Sequence, residues 1–177
     1  PGRPVEVRTD DEIPLSEWES SAKSNDGERV DALVSAHAEP VHETGVEPRY
    51  ILFAPLSKRG LFGFSTTWQF QRDGLDDSVS GVVVFRAGHE RYAKLWISLD
   101  KLERMTLVHE FGHQFGLVAD PRHERTGYHR RHCTRLDCAM AHPTRRVIVR
   151  NFIPGVFGHF FTDYCRECQA EIRMAQA

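Results

Sequence analysis

The sequence HEFGH, residues 109–113, places two imidazoles four positions apart and a carboxylate directly after the first of them. Residues i and i+4 lie on the same face of an α-helix, so the segment has to be helical if His109 and His113 are to direct their nitrogens to one point. Such a point suits a divalent metal ion. Glu110 is rotated about the helix axis, where its carboxylate can take a proton from a water molecule on that ion. The motif therefore predicts a helix that carries a catalytic zinc site.

Two glycines mark this helix. Gly116 lies three residues after the second histidine, where the chain has to stop and turn, and glycine tolerates the left-handed backbone that such a turn needs. Gly112 lies inside the helix and lowers its stability relative to alanine, which indicates either a close approach by another part of the chain or substrate, or a small residue without a role. In the longer motif HExxHxxGxxH, which HEFGHQFG matches in its first eight positions, the third metal ligand lies six residues after the second histidine, but that residue is Ala119 in this chain, which cannot bind a metal. The residues alone leave four candidates: Asp120, His123, His129 and His132.

Four cysteines follow as two short-spaced pairs, Cys133 with Cys138 and Cys165 with Cys168. This spacing is more typical of a tetrathiolate zinc site than of disulfides, and disulfides between the pairs are the alternative in an oxidising compartment. Either arrangement ties two distant segments together beside the predicted catalytic metal. If the second pair begins the last helix, the positive end of the helix dipole also helps to keep its thiolates ionised.

The stretch from His109 to Cys168 resembles the archaemetzincin signature of the metzincin clan of zinc metallopeptidases. The resemblance lies in HEFGHQFG, in His132 directly before Cys133, in Met140 two residues after Cys138, and in the final CREC. A segment reading VADPRHERTGYH is inserted between the glycine turn and His132, and the interval from Met140 to Cys165 is also longer than in the family pattern.

The resemblance implies a role for each matching residue. Glu110 would be the general base, His132 the third ligand of a catalytic zinc, and Met140 part of a Met-turn beneath that metal. Because of the insertion, His123 is the alternative third ligand. The remaining implied ligands are the two helical histidines at the catalytic zinc and the four cysteines at a second, structural zinc: His109, His113, Cys133, Cys138, Cys165 and Cys168. His142 is a candidate to bind the substrate oxyanion, with an ordinary surface histidine as the alternative.

The implied fold is α+β and zincin-like, with a twisted mixed sheet, an active-site helix, a Met-turn and a C-terminal helix. Hydrophobic periodicity predicts a first helix from Asp26, ended by Pro40, and a closing helix from about Thr162. The active-site helix should span Lys101–Phe115, with Asp100 as its N-cap and Glu103 completing a capping box. The predicted strands are Tyr50–Ala54, Thr66–Phe70 with one buried face, Gly81–Phe85 at the centre of the sheet, and Ala93–Leu99 at its edge.

The chain of 177 residues fits one catalytic domain, predicted as residues 26–177, preceded by a mobile arm of residues 1–25. A net charge of −2 gives no general attraction to nucleic acid or to an anionic membrane, and no apolar run approaches the length of about 18 residues that a span needs. We expect a cytoplasmic monomer, although the first residue, Pro1, leaves a processed leader open. Four histidines outside the motif region are predicted at the surface: His37, His42, His89 and His159.

The predicted function is hydrolysis of peptide bonds in a peptide or protein substrate by a zinc-activated water. The strand Lys94–Leu99 resembles the edge strand on which metzincins align extended substrates. Two alternatives use the same residues. One is a non-enzymatic zinc-binding module for protein or nucleic acid, and the other is a zincin that cleaves a small amide. Glu110 separates enzyme from module, because metal binding does not need its carboxylate and water activation does.

Overall fold

The computed structural model describes residues 13–14, 16, 18, 26–37, 49–56, 62–72, 75–93, 98–119, 123–124, 131–142 and 162–175. These residues form four helices and three strands. In chain order the elements are α1 (Asp26–His37), β1 (Arg49–Ala54), β2 (Gly63–Arg72), β3 (Leu75–Phe85), α2 (Arg86–Tyr92), α3 (Leu99–Gln114) and α4 (Arg166–Ala175). The fold is therefore mixed α and β, as predicted.

The chain forms two compact units, Pro1–Ala38 and Glu39–Ala177. Helix α1 belongs to the first unit and begins where the sequence predicted. It buries Val30, Leu33 and Val34, which recur at helical spacing. Most of the predicted arm, residues 1–25, lies outside the described residues, and so do His42 and His159.

The second unit contains a three-stranded mixed sheet in the order β1-β3-β2. Strand β1 runs parallel to β3, and β2 runs antiparallel to it, from Gly63 opposite Val84 to Arg72 opposite Leu75. The run Gly81–Phe85 is buried throughout, which confirms the predicted central strand. In β2, Trp68 is buried between two exposed neighbours, so that strand has one covered side, as predicted.

Helix α3 packs against β2 and β3 and carries the HEFGH motif. Its N-cap is Ser98, whose hydroxyl oxygen accepts a hydrogen bond from the Lys101 backbone N–H at 3.3 Å. The prediction that Asp100 caps the helix is therefore wrong: Asp100 lies in the first turn, where its charge still favours the helix dipole. Of the predicted edge strand, Leu99 belongs to this helix and residues 94–97 lie outside the described part of the chain.

Helix α2 was not predicted, and it contains a buried histidine. The prediction of a surface position for His89 is wrong, because the side chain is fully buried. Its Nδ1 donates to the Phe85 carbonyl at 3.0 Å, so Nε2 is left to accept from the Thr106 hydroxyl at 2.7 Å. Burial lowers the pKa of His89, which keeps the ring neutral at its position between α2 and α3.

The closing helix α4 is present as predicted but begins at Arg166, four residues after the predicted start at Thr162, and it packs Ile172 against a sulfur-rich core. That core consists of buried side chains from the turn after α3, the segment 131–142 and α4: Leu117, Val118, Cys133, Cys138, Met140 and Cys168. None of the helices among the described residues combines the length and apolar character that a bilayer span requires.

Two candidate metal centres

Three imidazoles converge at the C-terminal half of α3. His109 and His113 come from the helix and His132 from the segment 131–142, and one ligand nitrogen of each lies within 4.8 Å of the others. The Nε2 atoms of His109 and His113 are 3.2 Å apart. A tetrahedral zinc ion with Zn–N bonds of about 2.0–2.1 Å would hold two nitrogens about 3.4 Å apart, so the spacing fits zinc. Of the four candidate third ligands, His132 joins this set, and Asp120 and His129 lie outside the described residues.

A hydrogen bond sets the direction in which His109 can bind. Its Nδ1 donates to the Ala139 carbonyl at 2.7 Å, which leaves the Nε2 lone pair facing the other two imidazoles. Burial lowers the pKa of His109 to about 4 and that of His113 to about 3. Both rings are therefore neutral near pH 7, the form that a metal ligand requires.

Glu110 is the buried carboxyl beside these histidines, and only 8% of its surface is exposed. Burial raises its pKa to about 7, and hydrogen bonds from the Ser65 hydroxyl and backbone N–H oppose that rise. Ser65 lies on β2, so the carboxyl is held between helix and sheet. Sequence reasoning did not identify Ser65, because a single serine in a strand has no distinguishing pattern. A carboxyl in this position has the chemistry of a general base.

The turn after α3 has the geometry predicted from Gly116. Gly116 has a φ of +70°, and its N–H donates to the His113 carbonyl at 3.1 Å. The Leu117 N–H donates to the Gly112 carbonyl at 3.0 Å, which completes a Schellman motif. Two orphan carbonyls of the last turn are satisfied in this way, and the chain reverses directly after the second histidine.

Gly112 is a point of close approach by other parts of the chain, which confirms the first of its two interpretations. A Cβ atom built there would overlap the sulfur of Met140 and come within 3.2 Å of the Tyr164 ring. Met140 is fully buried, and the Tyr164 hydroxyl donates to the Val108 carbonyl at 2.7 Å. The side chains of Met140 and Tyr164 therefore pack directly on the backbone of the helix that carries the histidines.

The four cysteines form a second cluster. Their Sγ atoms lie within 4.8 Å of one another, and all four are free thiols. The Cys133–Cys165 and Cys138–Cys168 Sγ separations are both 3.7 Å. A tetrahedral site with Zn–S bonds of about 2.3 Å gives S···S separations of about 3.8 Å, whereas a disulfide needs about 2.05 Å. The cluster therefore could hold a metal ion, and its spacing is that of a tetrathiolate site.

Backbone N–H groups point at these sulfurs. Arg135 donates to Cys133 at 3.4 Å, Met140 donates to Cys138 at 3.4 Å, and Cys165 donates to Cys138 at 3.3 Å. Hydrogen bonds from the thiols of Cys138 and Cys168 lower the pKa of Cys133 to about 4, and hydrogen bonds with Cys133 and Cys138 raise the pKa of Cys168. One thiolate is stabilised by its neighbours in this way, but four thiolates in so small a buried volume require a cation among them.

The two clusters share one short segment. His132 is adjacent to Cys133, and Ala139, which orients His109, is adjacent to Cys138. The Cys133 N–H donates to the Met140 carbonyl at 2.8 Å, so the two ends of the segment are joined. Whatever holds the sulfurs in place also positions groups at the histidine cluster.

Two other predicted site residues lie beside these clusters. The His142 ring is 4.8 Å from the His132 ring, between centroids, so His142 borders the histidine set without belonging to it. His123, the alternative third ligand, is buried next to the cysteines instead, with Glu171 as its partner at 3.1 Å. Glu171 was not singled out from the sequence.

None of the protein-family models, curated proteins or solved structures compared with this chain matches it. The arrangement of the two clusters is therefore the basis on which a function can be inferred. In the described residues, the histidines and cysteines that the resemblance implies as ligands lie in these two clusters, and the alternative ligand His123 does not.

Proposed function

We propose that this chain is a zinc-dependent metallopeptidase of the metzincin clan, similar to the archaemetzincins, and that it hydrolyses peptide bonds in a peptide or protein substrate. One observation carries the proposal. The imidazoles of His109, His113 and His132 converge beside α3, and Glu110 is the residue directly after His109 on that helix. Three protein ligands are the usual number at a catalytic zinc, because the fourth position has to remain open for water or substrate.

A zinc ion held by these nitrogens would supply a Lewis acid that polarises a peptide carbonyl and brings the pKa of a water molecule toward neutrality. Glu110 accepts the proton of the attacking water at a carboxylate oxygen and delivers it to the departing amine. The hydrogen bonds from Ser65 hold the carboxyl in place for both transfers. The Ala139 carbonyl keeps the His109 ring oriented throughout.

The cysteine cluster would hold a second zinc ion with a structural role. Four thiolates close the coordination sphere and leave no position for a substrate, which is the usual difference between structural and catalytic zinc sites. Its ligands come from the segment 131–142 and from the start of α4, so the ion would tie that helix to the segment that supplies His132.

The test compares the wild-type protein with Glu110→Gln, using zinc content and cleavage of casein or a peptide library as the two measurements. We expect two zinc ions per chain in both proteins and a loss of cleavage of about 10²–10⁴-fold in the variant, the usual contribution of a general base. Glu103→Gln, the same change on the same helix, is the matched control and should retain activity.

Equal cleavage by wild type and Glu110→Gln would remove Glu110 from the mechanism and refute the proposal. Two zinc ions in both proteins with no hydrolysis by either would favour the non-enzymatic zinc-binding module.

A further inference from the structure

His123 occupies a buried position between a carboxylate and the cysteine cluster. Its Nε2 is 3.1 Å from Glu171 Oε1, and its Nδ1 is 3.8 Å from Cys133 Sγ and 4.0 Å from Cys168 Sγ. Only 7% of the histidine surface is exposed. The residue lies in the inserted segment VADPRHERTGYH and has no part in the proposed hydrolysis.

The ring geometry separates two roles for this group. His123, Cys168 and Glu171 are close enough to be considered as ligands of one ion. However, the carboxylate lies against Nε2 and the sulfurs against Nδ1, on different edges of the ring. An ion bound at Nδ1 would lie beside the sulfurs, with the carboxylate at the opposite edge of the ring. An ion bound at Nε2 would lie beside the carboxylate, with the sulfurs at the opposite edge. The arrangement is that of a bridge between carboxylate and thiolates, not of a shared metal site.

Glu171 holds this bridge in place. It lies on α4 one turn after Cys168, so both face the same side of the helix. Its Oε1 contacts His123, and its Oε2 accepts the Val118 N–H at 2.6 Å. Val118 has a φ of +63°, an unfavourable value for a β-branched residue, and this hydrogen bond helps to hold it in that conformation. The Glu171 carboxylate thus orients the His123 ring and also stabilises the turn that follows α3.

We infer that His123 is a positioning residue of the tetrathiolate centre, with Glu171 as its orienting partner. The inference rests on the part of the proposed function that assigns a metal ion to the four cysteines. Metal-bound thiolates are acceptors, so Nδ1 is the nitrogen that donates to the sulfurs, while the Glu171 carboxylate lies against Nε2 and fixes the orientation of the ring. This donation adds to the three backbone N–H groups that point at the cluster. It stabilises the negative charge that remains when four thiolates surround a divalent ion and so raises the metal affinity of the site.

Two substitutions at residue 123 separate the two halves of the bridge. The side-chain nitrogen of asparagine coincides with the Nδ1 position of histidine, and that of glutamine with the Nε2 position. His123→Asn therefore keeps a donor for the thiolates, and His123→Gln keeps a donor for Glu171 only. We expect His123→Gln to lower the affinity of the cysteine site for cobalt(II) by about 10–100-fold, the usual effect of losing a group that supports a metal ligand. We expect the sulfur-to-cobalt charge-transfer band to shift in that variant, and both properties to stay near the wild-type values in His123→Asn.

The measurements are a cobalt(II) titration, the absorption spectrum and competition with zinc, on the full chain. A purely structural role would not separate the two variants according to which nitrogen they retain. If His123→Gln fails to fold, Glu171→Gln keeps the side-chain volume and the Val118 hydrogen bond, and it should change affinity and spectrum in the same direction by a smaller amount.

Unchanged cobalt affinity and spectrum in a folded His123→Gln or Glu171→Gln protein would overturn the inference. A third equivalent of bound cobalt in wild type, lost in His123→Gln, would also overturn it, because His123 would then be a ligand. These readouts do not involve peptide cleavage, so a failure of the peptidase proposal leaves them interpretable.

Discussion

On the proposed function, loss of the ion assigned to the cysteine cluster should weaken metal binding at the histidine cluster, although none of the cysteines belongs to that cluster. The suitable perturbation is the double substitution Cys165→Ser with Cys168→Ser. Both residues lie at α4, so the change removes half of the thiolate ligands without altering the segment that contains His132 and Ala139. Helix α3 packs on β2 and β3, and far-UV circular dichroism should therefore show that the helix persists.

Two contributions set the size of this loss in metal affinity. Loss of the Ala139 carbonyl that orients His109 should cost about 10–100-fold in affinity, or about 1.4–2.7 kcal/mol. In the double variant His132 is no longer held by its neighbour Cys133, so binding of the histidine-site ion has to order it, at a cost of about 1–2 kcal/mol of backbone entropy. Together these effects predict a fall of roughly 2–5 kcal/mol, which is between about 30-fold and a few thousand-fold in affinity.

The assay is a cobalt(II) titration in which the sulfur-to-cobalt band reports binding at the cysteines, and the visible bands that develop without a change in that band report binding at the histidines. Met174→Ser is the matched control, because Met174 lies on the same helix and 70% of its surface is exposed. If the double variant binds cobalt at the histidines with wild-type affinity, the two centres are independent and the reasoning is refuted.

Substitutions at three further residues test individual features of the fold and the site. Gly112→Ala should lower the free energy of unfolding, measured by urea denaturation, by up to about 2 kcal/mol, because the cost of the overlap with Met140 exceeds the gain in helix propensity. A stabilisation of about 1 kcal/mol would show that Met140 does not pack against Gly112. Gly116→Ala should destabilise by about 1–2 kcal/mol through its backbone alone, since a Cβ there meets nothing within 4 Å among the described residues, and Gly116→Asn should recover most of the loss. His89 should contribute stability that is complete above its unfolded pKa of about 6.5 and is lost as the pH falls toward its lowered folded pKa, with a slope of at most about 1.4 kcal/mol per pH unit. Urea titrations between pH 7 and 5 should therefore be less steep in pH for His89→Gln, and an identical slope would show that burial does not suppress the charge on His89.

The elements that the sequence predicted correctly are those set by local pattern. The run Gly81–Phe85 is uniformly apolar, and a strand of that kind has to lie where both faces are covered. The HEFGH helix follows from the i, i+4 spacing that a shared ligand point demands. Helix α2, in contrast, reads RAGHERY and has no apolar stripe, and the residues that it buries are Gly88 and His89. Its position depends on contacts such as the one to Thr106, which no local pattern contains.

Helix α3 shows the same limit in another form. Its buried face is not made of apolar residues alone, because Phe115 is 59% exposed, while Thr106, His109 and Glu110 are buried. The sequence also leaves the proposed third ligand of the catalytic zinc undecided, because four candidates follow Gly116. Only the tertiary structure shows which imidazole returns to the helix. His132 does so because the adjacent Cys133 is held in the sulfur cluster, and His123 is diverted to Glu171.

A buried polar face is costly unless its groups are satisfied, and α3 has such a face at its centre. Hydrogen bonds from Ser65 satisfy the Glu110 carboxyl, and the Ala139 carbonyl accepts a hydrogen bond from one nitrogen of His109. Those partners leave the two Nε2 atoms of His109 and His113 facing each other at 3.2 Å, with His132 beside them. Imidazoles whose pKa values are lowered to about 4 and about 3 do not relieve this crowding by taking up protons near pH 7. A neutral ring shares at most its one proton across the 3.2 Å between the Nε2 atoms, whereas a divalent cation in place of that proton would take a lone pair from each of the three rings. The same argument applies independently to the four sulfurs, and two such clusters on one segment favour a metal-dependent protein over a chance gathering of histidines and cysteines.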